Sequence, residues 1–165
     1  MKSVNLTARL VNCAHLVVAF GLPLLVATTA FSEQKAMVED AWVREAPANA
    51  MAHAGYLTVM NPGKNPIHLV GADSPQYGKV EIHLSKVVGG VATMVRQEQL
   101  SIAPGGTLAL KPGSFHVMLM KPSAVYRVGE AIDITLHFLD GGSVTLKAPV
   151  RQAMPHVPHK HHKMN

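Results

Sequence analysis

Between Val38 and Val150 the chain contains no helical stripe. It runs through short β-type segments, each closed by strong turn chemistry: "NPGKNP", the Gly89-Gly90 pair, "APGG", "KPG", "YRVGE" and "DGG". The pattern predicts strands over Val38 to Arg44, Gly55 to Met60, His68 to Asp73, Lys79 to Val88, Val91 to Glu98, Thr107 to Leu110, His116 to Met120, Ala131 to Leu139 and Ser143 to Val150. Many short strands at this spacing cannot build a helical bundle or a parallel α/β sheet. They predict an all-β Greek-key sandwich or barrel.

The flanks differ from this body. Lys2 and Arg9 precede an apolar run from Leu16 to Val26, followed by "TTAFSE", in which Thr28 and Ala30 suit a signal peptidase. The run is short and is interrupted by Gly21 and Pro23, so residues 1–30 read as a cleaved secretory signal, cut after Ala30 or after Ser32, and not as a membrane span. The sandwich domain then covers 31–151, and 152–165 form a disordered His/Met-rich tail, "QAMPHVPHKHHKMN". Export to the periplasm as a monomer with no stable membrane span is the corresponding expectation.

Cys13, the one cysteine, lies inside the leader and precedes the apolar run, so it reads as a signal-peptide residue without function. The exported chain would then have no thiol, which excludes disulfides, thiolate metal sites and Cys nucleophiles together. Of 15 basic residues, Lys2 and Arg9 leave with the leader, and the remaining surplus over 10 acids sits largely in the tail, a balance that points to no nucleic-acid partner.

Ligand chemistry without cysteine falls to His, Met and carboxylates, and the chain carries 10 His and 9 Met. Position matters more than number. In "GSFHVMLM", Phe115, Val117 and Leu119 alternate with His116, Met118 and Met120, so one strand face is core and the other carries an imidazole and thioethers. In "VEIHLSKVV", His83 likewise lies on the face opposite Ile82 and Leu84. A two-residue turn at Gly89-Gly90 pairs His83 near Arg96 and Met94 near Ser85, which makes His83 and Met94 diagonal neighbours within reach of one ion. Thioethers select Cu(I), imidazole accepts either copper state, and neither attracts Mg or Ca. Met120 reads as packing at the edge of such a site. Met51 and His53 in "ANAMAHAGY" read as loop residues ahead of a strand, satisfied by water.

His83, Met94 and His116-x-Met118, at these intervals, resemble the signature of the PCu(A)C family of periplasmic copper chaperones. The surrounding "AWVREAP", "AGYLTVMNPG", "VEIH", "PGGTLALKPGSFHVMLM" and "VTLKAPV" extend the likeness over about residues 38–151. The resemblance implies a cupredoxin-like β-sandwich, Cu(I) held by His83, Met94, His116 and Met118, and delivery to the copper centres of respiratory oxidases, notably CuA. Leu84 departs from a polar or acidic residue common at that place, on the face away from the ligands.

The partner would be a cytochrome oxidase subunit, or another copper chaperone or thiol protein of its assembly pathway. Acceptor thiolates outcompete thioethers for Cu(I), so transfer by ligand exchange runs downhill from a site at the exposed end of a strand pair. An electron-transfer cupredoxin would need a Cys ligand. An enzyme would need an acid or base beside the metal, where Glu81 is the only carboxylate near in sequence, so no enzymatic role is expected. A copper scavenging or resistance protein would use the same ligands as a chaperone. Met154, His156, His159, His161, His162 and Met164 in the tail read either as a solvated basic end or as a flexible chelator of Cu(II) or Zn(II).

Overall fold

The computed structural model describes residues 36–152. The expected leader and tail, with their cleavage site and secondary ligands, lie outside those residues. The described chain is all-β, with no helix. In order, the strands are β1 Met37–Arg44, β2 Ala52–Met60, β3 Ile67–Asp73, β4 Tyr77–Val88, β5 Val91–Arg96, β6 Leu100–Ile102, β7 Thr107–Leu110, β8 Phe115–Pro122, β9 Ala131–Phe138 and β10 Ser143–Arg151.

Their neighbour order is β5-β4-β8-β2-β1-β10-β9-β3-β6, with β7 on β2. All pairings are antiparallel except that of β1 with β10, where Val43 faces Val150 and Arg44 faces Arg151. β1 is therefore the seam between the two halves of the sandwich. Its register on β2 shifts between Glu39 and Trp42, and Asp40 within the shift has φ of 51°, a left-handed conformation that Asp tolerates better than most residues.

Both halves bury their inward positions in one core. β9 alternates strictly, burying Ile132, Ile134, Leu136 and Phe138, and these meet Leu69, Val117, Leu119, Val43 and Val150 from the neighbouring strands. Asn61 is buried in the loop after β2. Its Nδ2 donates to the carbonyls of Asn65, Ile102 and Ala103 at 2.8 to 3.1 Å, and its Oδ1 accepts from Gly63 N at 3.0 Å. That side chain ties the "NPGKNP" loop to the end of β6.

Two sequence expectations need correction here. The strand expected to run through Glu98 stops at Arg96, and the chain then crosses to the opposite edge as the unanticipated β6, whose Leu100 and Ile102 are buried against β3. β2 begins at Ala52, not Gly55, so His53 is a buried strand residue instead of a hydrated loop residue, whereas Met51 does precede the strand and is exposed.

Candidate metal centre

The turn between β4 and β5 has φ of 58° at Gly89 and 82° at Gly90, the doubly left-handed geometry that matches strand twist and that glycine adopts without strain. It sets the predicted register, with His83 opposite Arg96 and Ser85 opposite Met94. On its other side β4 pairs with β8, which brings His83 opposite His116 and Glu81 opposite Met118, while Ile82 and Val117 turn inward to the core. Four chemistry-bearing residues from three adjacent strands thus share the outer face of one sheet. The His83 and His116 rings lie 5.9 Å apart between centroids, edge to face at 70°.

Exposure divides the set. Met94 is 59% exposed on β5, a strand with no buried residue, whereas His116 is 3% exposed. The donors expected at the exposed end of a strand pair thus differ in exposure, and the end of β1 with the loop that follows it lines a cleft with them. Arg44 to Pro47 wall a cleft of about 380 Å³ whose other lining includes Tyr56, Ser85, Met94, His116 and Met118. His83 lies beside His116 and is not among the cleft-lining residues.

Hydrogen bonding orients both imidazoles. His83 Nε2 lies 3.0 Å from Glu81 Oε2, and His116 Nδ1 lies 3.2 Å from the Ser114 carbonyl. A carboxylate and a carbonyl can only accept, so each of these nitrogens carries the proton and donates. The lone pairs are left on His83 Nδ1 and His116 Nε2. Among the described residues, these two are the buried side-chain nitrogen or oxygen atoms that have no hydrogen-bond partner. A buried polar atom without a partner costs about 1–3 kcal/mol, and here two such atoms lie on facing residues. The other described histidines are partnered: His68 with Ser101, His137 with Asp73, and His53 through Nδ1 with Tyr77 Oη at 2.6 Å.

Glu81 is itself held in place. Lys79 Nζ lies 2.8 Å and Arg96 Nη1 3.3 Å from its Oε1. The hydrogen bond from Lys79, then that from His83, holds its carboxyl below the ordinary carboxylate value, with the charges of Lys79 and Arg96 adding to the effect and burial opposing it. The carboxylate stays ionised and fixes the His83 tautomer, a carboxylate–histidine arrangement typical of ligating imidazoles. The role of Glu81 was not legible from its neighbourhood to the metal motif alone; the signal was its place two residues from His83 on the same strand face.

Among the described residues, no group of three or more His, Cys, Asp or Glu side chains could hold a metal ion. An ion in this centre would have to use the thioethers of Met94 and Met118, and two thioethers with two neutral imidazoles make a soft donor set.

The LpqE-like family model matches residues 36–150. The chain belongs to the LpqE-like family. Another protein similar to it is "Putative lipoprotein Lxx21020" of Leifsonia xyli subsp. xyli, 32% identical over 134 residues that make up 81% of this chain and 80% of that one. Among solved structures, this LpqE-like chain is similar to the copper-bound PCuAC domain from PmoF2, with 26% identity, a TM-score of 0.62, and coverage of 74% of this chain and 97% of that domain. It is also similar to the solution structure of CuI-DR1885 from Deinococcus radiodurans, with 30% identity, a TM-score of 0.57, and coverage of 78% and 85%. The expected cupredoxin-like β fold is thus the observed one, and the LpqE-like chain shares it with PCuAC domains.

Proposed function

We propose that this protein is a copper chaperone that binds one Cu(I) through His83 Nδ1, His116 Nε2 and the sulfurs of Met94 and Met118, and that it is not an enzyme. The observation that carries this reading is the pair of buried, unpartnered imidazole nitrogens on facing residues, beside two thioethers and without any thiolate. Structural neighbours described as copper-bound and CuI-bound support it. Neutral soft donors hold Cu(I) without trapping it, and an acceptor presenting thiolates would take the ion by successive ligand exchange, with no change in oxidation state and no energy source.

The reading extends to an exported, periplasmic protein released from residues 1–30, and the family's description, "Putative lipoprotein LpqE-like", supports the export. Its acceptor would be a CuA-type oxidase subunit or a thiol protein of that assembly pathway. The tail, with Met154, His156, His159, His161, His162 and Met164, would be a weaker site for Cu(II). Titration with Cu(I) against a competing chelator tests the centre: unchanged affinity in Met118→Ala would sink the assignment. Deleting the gene separates delivery from resistance. Loss of oxidase activity at low copper supports delivery, and loss of copper tolerance with normal oxidase supports scavenging.

A further inference from the structure

β4 and β8 pair only as far as Leu84 and Phe115, after which Ser85 N still bonds the Ser114 carbonyl at 3.1 Å. From Lys86 to Thr93 the β4–β5 hairpin has no third strand among the described residues, and every residue in it is exposed. Its end is nevertheless apolar. The stretch Val87, Val88, Gly89, Gly90, Val91, Ala92 has no polar side chain, and Val87, Val88 and Val91 are 74%, 63% and 63% exposed. The register puts Val88 and Val91 on one face of the ribbon and Val87 and Ala92 on the other, so neither face is a polar one. No Asp or Glu occurs between Glu81 and Glu98, and Arg96 is tied to both of those acids. Lys86, beside the apolar end, and Lys111, whose carbonyl accepts from Ser114 N in the adjoining turn, make no ion pair among the described residues.

We propose that this hairpin end is a membrane-docking tip: Val87, Val88 and Val91 enter the headgroup layer of an anionic phospholipid surface, and Lys86 and Lys111 meet the lipid phosphates. Apolar side chains on both faces of a two-stranded ribbon favour this occupant. A second copy pairing along the open edge of β5 would cover the edge and leave both valine faces in water, and a flat protein partner would cover one face only. A bilayer interface surrounds the tip on every side. The backbone does not oppose entry, because Val88 and Val91, flanking a two-residue turn, exchange their hydrogen bonds with each other. Charge agrees as well, since cations beside an apolar tip are drawn to an anionic surface that would repel an acid there. Three valines and two lysines give weak, reversible docking. Met94 follows Val91 by three residues, roughly 10 Å along the strand, so an inserted tip holds that side chain and the cleft it lines close to the headgroups. Docking does not depend on the copper reading; where both hold, the ion is exchanged at the membrane surface.

The test uses metal-free, full-length protein, so that residues 1–30 and the tail are the same in every sample, with vesicles of phosphatidylcholine alone or mixed with phosphatidylglycerol. Val88→Asp/Val91→Asp is expected to lower affinity for the anionic vesicles in co-sedimentation by about tenfold or more, because two apolar side chains give way to charges that the lipid repels. Lys86→Glu should weaken binding to the anionic vesicles and leave binding to phosphatidylcholine unchanged. Val125→Asp/Val128→Asp alters exposed valines in the loop beyond the other end of β8 and should bind as the unaltered chain does. In a Cys13→Ser background, a polarity-sensitive dye attached at Val91→Cys should shift to the blue when vesicles are added, and the same dye at Val128→Cys should not. Binding indifferent to Val88→Asp/Val91→Asp, or an unshifted dye at position 91, would overturn the tip, as would a valine-dependent dimer that ignores vesicles. Metal-free samples keep this result apart from the copper reading, which the Met118→Ala titration decides.

Discussion

His83 and His116 face each other across β4 and β8, and each has committed one ring nitrogen to a protein acceptor while leaving the other buried and bare. The bare nitrogens make metal-free protein less stable than the same fold with apolar residues in their place. His116→Leu tests this directly. The carbonyl of Ser114 that loses the histidine keeps its bond from Ser85 N at 3.1 Å, so no new orphan is created. Metal-free His116→Leu is expected to be as stable as the parent or up to about 1 kcal/mol more stable, with Cu(I) affinity largely lost. Denaturant midpoints and chelator competition measure the two effects, and a loss above about 2 kcal/mol would contradict the account of His116.

Met94→Ala should separate binding from stability in another way. Its side chain sits on a strand with no buried residue, so unfolding free energy should move by less than about 0.5 kcal/mol while Cu(I) binding weakens. Equal copper affinity in this variant would remove Met94 from the ligand set.

Glu81→Gln keeps the size of the group that holds His83 but discards its charge and its ion pairs with Lys79 and Arg96. Affinity for Cu(I) is expected to fall about tenfold, because the amide orients the ring less firmly and makes it a poorer donor. Nitrogen chemical shifts of His83 should report a mixture of tautomers. A single unchanged tautomer with reduced affinity would point to charge alone.

His53 predicts a pH dependence independent of copper. Burial lowers its pKa from 6.5, so in the pH range between the folded and unfolded values the unfolded chain binds more protons than the native one. Stability from this group is complete above pH 6.5 and is lost as pH falls toward the folded value, after which it levels off. Thermal unfolding of metal-free protein between pH 7.5 and 5 should show this decline, and His53→Gln should flatten it. A parallel decline in both proteins would assign the effect elsewhere.

Asn61→Ala removes the side chain that joins the β2–β3 loop to β6 and takes one donor from the carbonyls of Asn65, Ile102 and Ala103, of which that of Ala103 keeps its bond from Gly106 N. A loss of about 1–3 kcal/mol is expected, with Cu(I) affinity unchanged because the metal centre lies on the outer face of other strands. A shifted denaturant midpoint with a constant slope would fit, and weakened copper binding would not.

The sequence discloses the centre unevenly, for physical reasons. The pairing of His83 with Arg96 and of Met94 with Ser85 is legible because a two-residue glycine turn permits one register and a side-chain period of two does the rest. The meeting of His83 with His116 is not legible from local pattern, since β8 joins β4 only after β6 and β7 have crossed elsewhere; the interval motif of a resembled family carried that link. The burial of His53 is not legible because Ala52, Ala54 and Gly55 around it give no apolar alternation, although its ring packs edge-on against Tyr77 and Tyr126. β6 is not legible in the sequence because three residues are too few to display a period.

The parallel contact between β1 and β10 also determines when this protein can become a folded object. Val43 near the beginning of the sandwich has its partner, Val150, on the last strand, and both are buried. Until that last strand has been synthesised, the seam between the halves lacks one side and the core lacks Ala148 and Val150. A contact that spans nearly the whole domain carries a loop-closure cost and is a slow kind of pairing, so the seam closes only after β10 is available.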